Sequence, residues 1–268
     1  MVKKLIKYDF ASYLRLLLPV QLILLGIAAL NRLIQLFEVS DSTVYDIIFG
    51  SSVFLYVVSI IVCLVLTTIV AIVRFYQGMY TNEGYLSHTL PVTPSQHILS
   101  KLLVSLIFHI GSLAAVFLSF CIATLGEFNI ELFKAGGYLL GRFYSHYHAN
   151  TVLYILEFLL LLLIGTMSEL LMLYFCISVG QLAKKRKVLL AFGVFFGLYF
   201  IGQIFGTVLL IIFTTNPWLM DDLARWAVHH MTAFYHVLLC GGILWFAVLG
   251  TIFFLITRRI MSNRLNLT

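Results

Sequence analysis

Charge is what this sequence has least of. Seventeen Lys and Arg and 11 Asp and Glu make up 10% of the 268 residues, against 62% hydrophobic ones, and the mean hydropathy is +1.04. No soluble domain of this length could hide so much apolar surface, so the composition predicts an integral membrane protein. The net charge of +6 is carried by cations dispersed along the ends of apolar runs. That distribution reports membrane orientation and argues against nucleic acid as a partner. Cysteine is scarce too: Cys63, Cys121, Cys176 and Cys240 all fall inside apolar runs with no C-x-x-C spacing. They read as packing residues, with no disulfide expected. Enzyme motifs are missing: there is no H-E-x-x-H and no G-x-S-x-G. None of the eight lysines stands in a G-x-x-x-x-G-K-[ST] context, so no P-loop for ATP is present. No catalytic residue is expected in this chain, and the energy for any pumping would come from another polypeptide or an ion gradient.

What is present is apolar and helical in length. Residues 2–15 place Val2, Leu5, Ile6, Phe10, Tyr13 and Leu14 at helical spacing, with Lys3, Lys4, Lys7, Ser12 and Arg15 largely opposite. A basic amphipathic helix of this kind is expected to lie in the membrane interface. It could also be the charged start of a signal peptide, but Asn31-Arg32-Leu33 follows without a small-residue cleavage site, which favours an uncleaved anchor. Six apolar runs follow at about 16–36, 50–73, 99–124, 152–181, 188–213 and 236–257, each near the roughly 20 residues that cross a bilayer. With no long repeat and no polar stretch large enough to stand alone, residues 1–268 read as a single transmembrane domain.

With both termini inside, 13 of the 17 Lys and Arg fall on the cytoplasmic side; only Arg32, Lys134, Arg142 and Arg225 fall outside, with most of the acids. That bias predicts the topology. Lys184-Lys185-Arg186-Lys187 then forms the inner turn between the fourth and fifth spans, an anchor on anionic lipid or, less simply, a contact to a partner. Residues 214–235 are too polar to span but hold Trp218, Leu219, Leu223 and Trp226, which suits short interfacial or re-entrant helices.

The longest inner interruption runs from Arg74 to Lys101. Its first part is aromatic, with Phe75, Tyr76, Tyr80 and Tyr85 beside Gly78, Glu83 and Gly84, a mixture suited to docking. Pro91 and Pro94 break any helix. Thr93-Pro94-Ser95-Gln96 restarts one, with Thr93 as cap, Pro94 at the first position and Gln96 reaching back. Asn82-Glu83-Gly84-Tyr85-Leu86, Thr89-Leu90-Pro91-Val92 and Leu99-Ser100-Lys101-Leu102 resemble the loop between the second and third helices of small bacterial ABC exporter permeases of the ABC-2 type. Elsewhere the resemblance is architectural. It implies an all-α fold of six transmembrane helices with an N-terminal interfacial helix, in the bacterial inner membrane. The loop would be a cytoplasmic coupling element seated on an ATP-binding subunit, which carries ATP and Mg. A second permease copy, identical or related, would complete the transporter. Arg74, Tyr76, Tyr80, Glu83, Gly84 and Tyr85 become the partner-coupling candidates, and an ordinary interfacial loop lined by aromatics remains the plain alternative. The implied cargo is a peptide, an antibiotic or an amphipathic, lipid-like molecule.

Inside the membrane, Glu169 falls at the middle of the fourth span. An ionised acid there costs a few kcal/mol, so it is expected to face the bundle interior, pair or be protonated. His109 on the third span is a candidate partner, and Gln203 is polar near the middle of the fifth. Such a site could line a substrate path or, in an ion-coupled secondary transporter or channel, bind a proton or cation; otherwise it is a packing hydrogen bond. Glu157, nearer the outer boundary, is expected to be satisfied by water. In the fifth span Gly193 with Gly197 and Gly202 with Gly206 form two GxxxG pairs, suited to close packing within the chain or against a second copy. His146, His148, His229, His230 and His236 invite a zinc site, but no acid or cysteine has a matching spacing, so no metal is expected.

Overall fold

The computed structural model describes residues 2–37, 43–81 and 92–263. Every element among them is α-helical: α1 (Val2–Leu36), α2 (Thr43–Tyr80), α3 (Pro94–Ala123), α4 (Glu127–Tyr147), α5 (Ala149–Gly180), α6 (Lys187–Thr215), α7 (Pro217–His229) and α8 (Met231–Asn263). Six of them, all but α4 and α7, are long and apolar enough to cross a membrane. The expected runs are thus present as helices, most of them longer than the apolar stretch alone. Apolar runs mark the bilayer core, whereas helical hydrogen bonding continues into the flanking polar turns.

Two expectations change. Residues 2–15 do not form a separate helix; they run without a break into the first span as α1. The reason is packing: Tyr13 stacks on Phe108 of α3 and Phe10 packs tilted against it, with ring centroids at 5.4 and 5.0 Å. The second change is α4, a 21-residue helix in a region that reads as an outer loop.

Compaction divides the chain into two units, residues 1–140 and 141–268. In the first, α1, α2 and α3 pack against one another around Leu24, Ala28, Tyr56, Cys63 and Ala123. In the second, α5 packs along α8 and more lightly on α6, while α7 touches α6 and α8. The α5–α8 seam is close at Gly250, where an added Cβ would sit 3.4 Å from the Ser168 backbone. Leu170, Leu171, Tyr174 and Cys176 are buried beside it. The four cysteines are free thiols, Cys63 and Cys176 buried among apolar neighbours.

Candidate functional site

The first unit is joined by polar contacts that line up on α3. Ser105, Ser112 and Ser119 recur every seven residues and all are fully buried, so they return to one helix face. Each meets a partner from another helix. Tyr13 Oη of α1 lies 2.7 Å from Ser105 Oγ. Gln21 Nε2 of α1 donates to Ser112 Oγ at 3.1 Å, and Thr67 Oγ1 of α2 lies 2.7 Å from the same atom. Tyr56 Oη of α2 lies 3.1 Å from Ser119 Oγ. A turn before Ser105, Ser100 Oγ and Lys101 Nζ both donate to the Asp9 carboxylate of α1, at 3.2 and 3.1 Å. From Ser100 to Ser119 the helix rises about 28 Å, close to the ~30 Å of the hydrocarbon core. Small residues that admit close approach, with hydrogen bonds between helices, are how membrane helices associate where the hydrophobic effect does not drive them together.

Lys101 is 4% exposed, an unusual place for a cation, and it is neutralised by Asp9. Its side chain lies across Gly78 of α2, where an added Cβ would come within 2.9 Å of Cε. Glycine at 78 thus leaves room for the far end of the Lys101 side chain. The Asp9–Lys101 pair ties α1 to the first turns of α3, just past Pro94. Thr93 and Gln96 form the expected capping box there: the Thr93 amide donates to Gln96 Oε1 at 3.1 Å.

Arg74, Tyr76 and Tyr80 close α2 on the other side of this segment. Arg74 is half-buried, and its Nε is buried without a hydrogen-bond partner among the described residues. The Tyr80 ring packs on Tyr76 and, edge-on, on Phe75. Glu83, Gly84 and Tyr85 lie outside the described residues.

His109 finds its partners within its own unit: Nδ1 lies 2.8 Å from the Ser105 carbonyl and Nε2 3.4 Å from Thr68 Oγ1. Glu169 of α5 is exposed, and among the described residues it makes no hydrogen bond or ion pair. Of the three expected arrangements, an interior place and a pairing are not found among the described residues, which leaves protonation. Its neighbours Ser168 and Leu170 are the buried ones; Ser168 lies against Gly250 of α8, and residue 169 is rotated 100° from each. Gln203 is exposed as well, on a helix that buries no residue. Gly193, Gly197, Gly202 and Gly206 all face open space. Nine residues separate the two pairs, about half a turn at 100° per residue, so they lie on opposite faces of α6.

Glu157 is not left to water. His236 of α8 sets Nδ1 2.7 and 2.9 Å from its two carboxylate oxygens, joining α5 to α8 by an ion pair when the imidazole is protonated. Aromatic rings collect beside it. Tyr154 lies 4.5 Å from the His236 ring, and Tyr147, Tyr235 and Phe143 pack edge-on or tilted around Tyr154. Desolvation first, then the phenols of Tyr235 and Tyr154, push the Tyr147 hydroxyl above its ordinary pKa. Among the described residues no three His, Cys, Asp or Glu side chains converge as a metal site. His236 is spent on Glu157.

Asp9 and the serine repeat carry much of the site geometry and stand outside the residues singled out from sequence, where Ser100 figured only in the Leu99–Leu102 resemblance. The seven-residue spacing of Ser105, Ser112 and Ser119 was the available signal; Asp9, buried in a run of lysines, had none. By composition, helix length and helix number, this is an all-helical chain built as a multi-pass membrane protein. No family model, curated protein or solved structure matches it.

Proposed function

We propose that this chain is the transmembrane permease subunit of an ATP-driven exporter of the ABC-2 type, working as a pair with an identical or related copy and two ATP-binding subunits. The chain would sit in a bacterial inner membrane with both termini cytoplasmic, the basic first turns of α1 at the headgroups. ATP and Mg would be bound by the partner. The cargo class is a peptide, an antibiotic or another amphipathic molecule.

The observation that carries the reading is the Arg74–Lys101 segment. Its EGYL and TLPV words resemble the family's coupling loop, and it is flanked by elements suited to transmit force. α2 enters through buried Phe75 and Met79. α3 leaves from a capped, proline-started first turn and runs 30 residues. A push at the loop would therefore move α3, and Asp9–Lys101 would carry α1 with it. Glu83 is the charged contact to the partner, flanked by Tyr80 and Tyr85, with Arg74, Tyr76 and Gly84 around it.

Co-purification in mild detergent tests this. A stoichiometric P-loop subunit is expected, with ATPase activity that Glu83→Lys uncouples from transport. A clean particle without ATPase would overturn the proposal. One observation favours a second reading, an ion-coupled transporter or channel: Glu169 is exposed at the middle of a span with no partner among the described residues. Gradient-driven flux abolished by Glu169→Gln, in a particle lacking ATPase, would establish it.

A further inference from the structure

α4 has two faces. Glu131, Lys134, Tyr138, Arg142 and Ser145 follow one another at steps of three and four, which keeps them on one side of the helix. Leu132, Phe133, Leu139, Leu140, Phe143 and Tyr144 fall on the other side, and all six are exposed. From 130 to 146 every residue except Gly136 is exposed, so this is an amphipathic helix whose apolar side, apart from the contact of Phe143 with Tyr154, has no protein cover among the described residues.

Its two ends are fastened to candidate spans. At the start, Asn129 is buried; its Nδ2 donates to the Cys121 carbonyl of α3 at 2.8 Å, and Thr124 Oγ1 donates to its Oδ1 at 2.6 Å. At the far end, Thr151 Oγ1 of α5 donates to the Phe143 carbonyl at 3.3 Å, and the Tyr147 ring packs edge-on against Tyr154. A helix of low overall hydropathy, fastened to the end of one span and the start of the next, is held at the bilayer boundary. There the medium facing its apolar side is lipid.

We propose that α4 is an interfacial helix, lying on the bilayer with its apolar face sunk in the headgroup–acyl boundary. Helices of this kind bury that face about 5–10 Å deep. Glu127 and Glu131 balance Lys134 and Arg142 in formal charge, so apolar burial holds the helix and no anionic lipid is required. The inference is independent of the transport reading; it needs only that α3 and α5 cross the membrane.

Full-length protein in phosphatidylcholine vesicles, carrying an environment-sensitive fluorescent amino acid at Leu139 or at Glu131, tests it. A nitroxide placed near the lipid headgroup should quench the Leu139 reporter about threefold or more strongly than the Glu131 reporter, with aqueous iodide giving the reverse order. Equal iodide quenching at both positions means water covers the apolar face and overturns the proposal. Protection of Leu139 from both quenchers means protein covers it, and overturns it equally. Leu132 serves as the apolar reporter if the Leu139 variant does not insert.

Discussion

A lysine shut between helices persists only with a counter-charge, and Lys101 has one 3.1 Å away in Asp9. Removing either partner alone strands the other, which for buried pairs costs about 3–5 kcal/mol. Asp9→Asn and Lys101→Met should each lower the thermal unfolding temperature in detergent, and the double variant should recover much of the loss. Additive losses would show that the pair does not act as a unit. Gly78 belongs to the same contact. Gly78→Ala makes the flexible end of the Lys101 side chain shift and should destabilise by about 1 kcal/mol, the low end of overpacking costs. Gly202→Ala, with nothing within 4 Å, should be silent in the same melt. In sequence Lys101 reads as one more inner cation. Its partner stands 92 residues away, and no local pattern joins them.

At the scale of the helix, α3 is the organising element of the first unit. Ser112 receives Gln21 and lies against Thr67. Ser112→Ala should cost about 1 kcal/mol, since single interhelical hydrogen bonds in membranes average about 0.6 kcal/mol; denaturant or thermal unfolding of the reconstituted protein measures it. A larger bulk, Ser112→Leu, should cost more by holding the helices apart. α6 behaves oppositely. It is apolar all round and buries nothing, so its glycines are free for a second copy or for lipid. The GxxxG spacing is legible in sequence, but which side of the helix meets the rest of the chain is not. Within the second unit the close approaches fall at other glycines: Gly180 of α5, where an added Cβ would come 2.7 Å from Ala191 Cβ and 2.8 Å from the Lys187 carbonyl of α6, and Gly242 and Gly250 of α8 against α5. α4 was hidden for a related reason: its mean hydropathy is low, and only its three-and-four stripe marks it as a helix.

For the whole molecule, the asymmetry of Lys and Arg makes a prediction that does not depend on any partner. A cysteine introduced at Ser145 of α4 should react with an impermeant maleimide in intact cells. One at Ala183, in the turn beside Lys184 and Lys185, should react only after permeabilisation. The reverse pattern would invert the topology and move the Arg74–Lys101 segment outside, removing the basis for ATP-driven coupling.

Helix class, the number of apolar spans and the cap that starts α3 are properties of neighbouring residues: composition, period and the chemistry of Thr93, Pro94 and Gln96. The sequence by itself determined these. Pairings were decided by the tertiary structure alone: Asp9 with Lys101, Glu157 with His236, His109 with Thr68, Glu169 outward. The physical reason is rotation. One residue turns a helix by 100°, so which side chain faces which is set by how whole helices settle against each other. At Ser168, Glu169 and Leu170, three consecutive residues take a buried, an exposed and a buried place, and only the packing of α5 among its neighbours says which is which.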